Sequence, residues 1–287
     1  MKKKVLVIVG PTAVGKSALA VQLAEIFRGE VISGDSQQVY RGLNIGTAKI
    51  STEEMQGIPH HLLDIRDLTE KFSAHDFVLA ARTEIEKILR RGKVPIICGG
   101  TGLYIQALLE GYHLGGEEQH QEMMALRAEL ETLTNEELKS KIHLPEFNRR
   151  RAIRALELQT YGRTENKKPD FDFQLIGISA AREQLYERIN RRIDLMMSDG
   201  LLDEARRLFE EYPNVQAAKA IGYKEFFPYF SGEGSLAEAV EKVKQNSRHY
   251  AKRQLTWFRN RMQVEFQNIF SLDYPENVII TSRKFLD

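Results

Sequence analysis

The sequence predicts an α/β fold, a parallel sheet flanked by helices, with a smaller helical unit inserted into it. Three observations predict it. The runs Val5–Val9 and Val94–Cys98 are continuously apolar, the pattern of strands buried on both faces. Glycines close strand-like runs at Gly10, Gly34 and Gly99-Gly100, and helical periodicity follows, the alternation of a doubly wound sheet. After Gly111 this alternation gives way to charged, helix-favouring sequence, and strand character returns only at Phe173–Ser179.

Val5–Val9 is the first strand. The helix after it is expected over Ala18–Phe27, with Leu19, Leu23, Ile26 and Phe27 on one stripe. A short second strand at Val31-Ile32 ends in Ser33-Gly34-Asp35, residues 74–91 read as a helix, and Val94–Cys98 is a third strand closed by Gly99-Gly100-Thr101-Gly102. Ligands of such sheets lie beyond the carboxyl ends of the strands, so these glycine-marked ends converge on one side. The insertion is expected at 114–160, leaving 1–113 and 161–287 as the core. Within it, Glu117–Glu137 has seven acidic residues against one arginine, and Arg149–Arg154 has four arginines in six positions. From 181 to 261 the chain is mostly helical, punctuated by Gly200, Pro213, Gly222 and Gly232-Glu233-Gly234.

Composition bounds the class. The 287 residues are 42% hydrophobic and 28% charged, ordinary values for a globular protein that argue against disorder, collagen or coiled coil. No 18-residue apolar stretch occurs, and the N-terminal apolar run is too short for a secretion signal. One cysteine, Cys98, permits neither an intrachain disulfide nor a cysteine metal cage, which fits a reducing cytoplasm. The histidines show no metal-ligand spacing. A monomer is the default expectation. A net charge of +1 at first argues against a nucleic-acid binder.

The chemistry starts at Gly10-Pro11-Thr12-Ala13-Val14-Gly15-Lys16-Ser17, which satisfies G-x-x-x-x-G-K-[ST] between a strand and a helix. Such a loop cradles a phosphate with backbone N–H groups and the helix N-terminus. Lys16 would add a point charge, and Ser17 can ligate Mg²⁺. The fold is thus expected to be P-loop NTPase-like, with a polyphosphate or pyrophosphate site. Asp35, at the next strand end, is either a metal ligand or general base or the Asx cap of its own turn. Thr101 stands at a third strand end, where a hydroxyl can serve the site or cap the following helix. Arg192 faces Arg188 with no acidic residue three or four positions away, and suits a bidentate phosphate contact.

Lys242–Arg261 contains seven basic residues and no acidic one. Lys244, Arg248 and Lys252 repeat on one helix face, where like charges repel by about 0.2–0.5 kcal/mol per pair. An anionic partner explains this better than helix stability does; the alternative is a solvated face paired with the acidic insertion. By segment, then, the near-zero net charge conceals a separation of charge compatible with nucleic acid.

In this order, the motifs resemble the tRNA dimethylallyltransferases. The resemblance runs through Gly10–Ser17, Asp35-Ser-Gln-Gln-Val-Tyr40, Asn44-Ile-Gly-Thr-Ala-Lys49, Pro59-His-His-Leu-Leu-Asp64, Gly99-Gly-Thr-Gly-Leu-Tyr104, Arg151-Ala-Ile-Arg-Ala-Leu-Glu157, Lys219-Ala-Ile-Gly-Tyr-Lys224 and Lys252-Arg-Gln-Leu-Thr-Trp-Phe-Arg259. It implies transfer of a dimethylallyl group from dimethylallyl diphosphate to N6 of adenosine 37 in a tRNA anticodon stem-loop, assisted by Mg²⁺. The P-loop, Gly10, Pro11, Thr12, Ala13, Val14, Gly15, Lys16 and Ser17, would hold the donor's diphosphate, Arg192 would join it, Ser17 would meet the metal, and Asp35 would accept the N6 proton. Contacts to tRNA are implied at Asp35, Ser36, Gln37 and Gln38, at Thr101, at Arg127, at Arg150, Arg151, Ala152, Ile153 and Arg154, and at Lys219, Ala220, Ile221, Gly222, Tyr223 and Lys224.

The chain departs from the family pattern in two places. The stretch from Lys139 to Pro145 is shorter than usual, and Lys224 stands where many relatives have arginine, keeping the charge but losing the bidentate fork. The cysteine and histidine pattern of the zinc finger in eukaryotic relatives does not occur, which favours a bacterial type. Competing readings are a P-loop small-molecule kinase, an adenylate isopentenyltransferase acting on free nucleotide, and a non-catalytic RNA-binding module.

Overall fold

The computed structural model describes residues 3–112, 120–161 and 169–287. Residue 114, the expected start of the insertion, and residues 117–119 of the acidic stretch lie outside them. By contacts the chain divides into two compact units, Met1–Leu108 with Asp170–Asp287, and Leu109–Pro169.

The larger unit is built on β1 (Lys4–Val9), α1 (Lys16–Phe27), β2 (Gly29–Ser33), α2 (Thr52–Met55), β3 (His60–His61), α3 (Ala74–Arg90), β4 (Val94–Gly99) and α4 (Gly102–Leu109). All strands of the sheet are parallel, in the order β3-β2-β4-β1-β5-β6, where β5 is Asp172–Ser179 and β6 Phe266–Asn268. Leu6 pairs with Ile96 on one side and Gln174 on the other, so β1 lies between two partners and Val5–Val9 have no exposed surface. The apolar run is thus the sequence image of a central strand. The sequence reading did not include β3 and β6, because two and three residues carry too little periodicity to separate from loop.

Helix α3 starts on a Ser73/Asp76 capping box and buries Phe77, Val78, Ala81, Ile85 and Ile88, one stripe at helical spacing. Gly200, at φ +104°, separates α8 (Arg182–Ser198) from α9 (Leu201–Glu211). Helix α11 (Leu236–Met262) follows the short α10 (Phe227–Phe230), and α12 (Glu276–Leu286) packs on β1 and β5. Among the described residues no helix is long and apolar enough to cross a membrane.

In the smaller unit, α5 (His120–Thr132), α6 (Asn135–Lys141) and α7 (Arg149–Tyr161) enclose Leu130, Leu138, Ala152 and Ile153. Glu157 of α7 is 1% exposed and is held by Arg127 (2.6 and 3.0 Å) and Arg154 (2.9 Å).

Candidate active site

The ends of β1, β2 and β4 open into two adjoining cavities of the larger unit. The first, about 430 Å³, is lined by Thr12, Ala13 and residues 15–17 of the P-loop with Ala18 after it, by Asp35 and Glu54, by Cys98–Gly100, and by Arg188, Arg191 and Arg192 of α8. Gly15 is at φ +99°, where a side chain would be strained, and turns the chain so that the N-terminus of α1 joins the cavity wall. Lys16 Nζ donates to Pro11 O at 2.7 Å. Burial lowers its pKa to about 8, with Arg192 pushing the same way and Asp35 opposing. Burial pushes the neighbouring Cys98 thiol up to about 11, so it stays protonated at neutral pH.

The second cavity, about 340 Å³, shares Thr12, Ala13, Asp35, Thr47, Ala48, Arg192 and Tyr250 with the first. It continues along Ser36 and Gln37, the segment Lys219–Gly222, and an apolar wall including Ile189, Ile193, Met196 and Val243. Asp35 and Arg192 therefore stand where a phosphate-sized polar cradle meets a partly apolar chamber. Burial lowers the Arg192 pKa from its ordinary value, while Glu54 and Asp35 pull it up.

Asp35 caps its own turn, one of the two roles expected for it. Its Oδ1 accepts the N–H of Gln37 (2.8 Å) and Gln38 (3.3 Å), an Asx turn, while Oδ2 takes no hydrogen bond from the described residues. The Thr101 hydroxyl accepts Ser36 N–H at 3.1 Å and so bridges two strand ends.

Several expected RNA contacts are occupied within the fold. Ala152 and Ile153 are core residues, 0% and 6% exposed, and present no surface. Arg127 and Arg154 are committed to Glu157; Arg150 and Arg151 are exposed. Tyr223 is fully buried and donates to Glu204 at 2.7 Å, whereas Lys219 and Lys224 are exposed and Lys219, Ala220, Ile221 and Gly222 line the chamber. The Gln38 amide is used internally, accepting from Ser33 Oγ and donating to Thr47 O and Ala48 O. The basic face of α11 is partly neutralised within the larger unit. Lys244 meets Asp194 at 2.5 Å, and Arg248 meets Asn190 and Glu241 at 2.7 and 2.9 Å. The sequence reading missed Tyr250, Gln254 and Glu204. Glu204 accepts N–H bonds from Asn44, Ile45 and Gly46 (2.8–3.1 Å) as well as the Tyr223 hydroxyl.

A parallel sheet with a P-loop at its first strand end, and with a carboxylate and an arginine on the wall that its cavity shares with a second chamber, defines the P-loop class of α/β proteins. The family model described as IPP transferase matches residues 38–261. The chain is 63% identical to the tRNA dimethylallyltransferase of Lactococcus lactis subsp. lactis (strain IL1403), over 99% of each chain, and 58% identical to that of Streptococcus gordonii, over the whole of both. Among solved structures it is similar to the full-length tRNA isopentenylpyrophosphate transferase of Bacillus halodurans (TM-score 0.78, 42% identity, 99% and 96% of the two chains). It is also similar to a eukaryotic dimethylallyltransferase acting on tRNA (TM-score 0.83, 30% identity, 99% and 79%). The chain belongs to the IPP transferase family, and is thus a prenyltransferase rather than the kinase or non-catalytic module also considered.

Proposed function

We propose that the protein transfers the dimethylallyl group of dimethylallyl diphosphate to N6 of adenosine 37 in a tRNA anticodon stem-loop, releasing diphosphate. The observation that carries this reading is the position of Asp35, on the wall shared by the phosphate cradle and the second chamber. The exocyclic amine of adenine is a weak nucleophile because its lone pair is delocalised into the ring. Transfer therefore needs the departing diphosphate stabilised and the N6 proton removed. Lys16, Arg192 and the loop amides hold the negative charge that grows on the leaving group. Asp35, with Oδ2 unused, accepts the proton.

The residues present fit a Mg²⁺ ion that arrives with the diphosphate. Ser17 and Glu54 line the same cavity, and among the described residues no cluster of three or more His, Cys, Asp or Glu could hold a metal alone. Such an ion keeps several waters and binds through substrate phosphates plus one or two protein groups. When bound it would neutralise charge on the diphosphate.

The adenosine must leave its stack to reach Asp35, at a typical cost of a few kcal/mol. The segment Lys219–Gly222, Ser36 and Gln37 line the chamber it would enter. The exposed Arg150, Arg151, Lys224 and Lys252 are cations open to the tRNA backbone. The test is to incubate the protein with labelled dimethylallyl diphosphate, Mg²⁺, and either unmodified tRNA or AMP. Label in tRNA at adenosine 37 is expected; label in AMP alone assigns a free-nucleotide acceptor, and label in neither overturns the reading.

A further inference from the structure

The motif Lys252–Arg259 has no part in the chemistry above, yet one of its members joins two loops of the site. Gln254 of α11 is 5% exposed and lies on the helix stripe that buries Ala251 and Phe258, a position where helices place apolar side chains. Its Oε1 accepts Thr12 N–H at 2.8 Å, and its Nε2 donates to Gly100 O at 2.9 Å. The partners are a backbone donor and a backbone acceptor, so the amide can satisfy both in one orientation only. Gly100 is shaped to this side chain, since a methyl group there would overlap Nε2. One turn earlier, Tyr250 lines the same cavity, so a single helix face reaches the P-loop, the loop after β4 and the wall of the site.

We propose that Gln254 is a positioning residue for the transfer, fixing the P-loop at Thr12 against Gly100 so that the diphosphate cradle and the Asp35–Thr101 side of the site keep their spacing. The Thr12 amide is thereby committed to the protein, and the grip on an anion falls to the amides after it. A lone buried glutamine in an apolar stripe costs stability unless both ends are satisfied. Here both are, by the loops that carry the chemistry. This rests on the reading of residues 10–17 as a diphosphate cradle.

Three variants test it: Gln254→Leu, Gln254→Glu and Gly100→Ala. Binding of inorganic pyrophosphate by calorimetry and steady-state prenyl transfer are measured on each. For Gln254→Leu, pyrophosphate binding at least about tenfold weaker is expected, with kcat reduced as well because the two sides of the site no longer keep register. Gly100→Ala, which displaces the amide without removing it, should reproduce that loss, and combining it with Gln254→Leu should add little.

The glutamate variant supplies a readout that packing alone would not move. Its carboxylate opposes Gly100 O, but its carboxylic acid donates to that oxygen and accepts Thr12 N–H as glutamine does. Its activity relative to wild type should therefore rise as pH falls. The charged and titratable groups around it, Lys16, Asp35, Glu54, Cys98, Tyr250 and the α8 arginines, are common to both proteins and cancel in the ratio. A ratio flat with pH, together with wild-type pyrophosphate affinity in Gln254→Leu, overturns the proposal. Should Gln254→Leu not fold, the glutamate ratio and Gly100→Ala decide. A wild-type protein that does not bind pyrophosphate instead refutes the cradle.

Discussion

Asp35 accepts the backbone N–H of Gln37 at 2.8 Å through Oδ1, so the oxygen that shapes the turn is distinct from the one that takes no hydrogen bond from the described residues. An asparagine can keep the first bond through its own Oδ1 while losing the ability to take a proton. Asp35→Asn should therefore lower kcat about 10²–10⁴-fold while changing tRNA affinity little. Asp35→Ala should in addition loosen residues 36–38 and weaken tRNA binding. Single-turnover assays beside filter binding separate the two effects, and equal loss of both in the asparagine variant would contradict the role as base.

Lys16 gives the site a basic limit. With a pKa of about 8 in the free protein, it carries its charge below that pH and loses it above. An anion bound beside it raises that pKa, so binding takes up a proton at high pH. Pyrophosphate affinity relative to that of Lys16→Met, a ratio in which the ligand's own titration cancels, should be level below pH 8 and fall above it, by up to about tenfold per pH unit. Lys16→Met itself should bind weakly at every pH in calorimetric titrations.

At the acidic end, Glu30 of β2 is 3% exposed. Burial opposes its ionisation, but hydrogen bonds from Arg91, Lys93 and His61 outweigh that and hold the carboxyl at about 2. Because the folded value lies below the unfolded one, the contribution is fully present above about pH 4.5 and is lost as pH falls towards 2. Urea denaturation at pH 7 and pH 3 should show Glu30→Gln less stable than wild type at pH 7, with the gap narrowing at pH 3.

Glu204 ties the loop Asn44–Gly46 to Tyr223, using both carboxylate oxygens. Glu204→Ala strands three N–H groups and a buried hydroxyl, and should cost about 2–4 kcal/mol in chemical denaturation. Tyr223→Phe removes one bond and should cost about 1 kcal/mol. A neutral Glu204→Ala would show that water replaces the clamp.

Much of this site could be read along the chain because its parts are local. The P-loop is eight consecutive residues, Asp35 follows a two-residue apolar run, and Arg192 was singled out by the missing acid on its own helix. What escaped involves pairs far apart in sequence. Glu204 meets amides about 160 positions earlier. Gln254 carries no signal except that it is polar on an apolar stripe. The partners of the α11 basic face were equally out of reach, because a four-residue window sees neither Asp194 on α8 nor Glu241 two turns back. Ala152 and Ile153 belong to a stretch that resembles a binding motif, yet they form the small unit's core, since an amphipathic helix presents its arginines only by burying what lies between them.

The bond between Gln254 and Thr12 also sets an order of assembly. During synthesis the P-loop leaves the ribosome well ahead of the side chain that anchors it, which follows roughly 240 residues later, some tens of seconds at typical translation rates of about 5–20 residues per second. Strand β1 waits for β5 in the same way, across the whole inserted unit. A nascent chain therefore displays this loop long before it can hold it in shape, and binding of pyrophosphate there should arise only after α11 has been made.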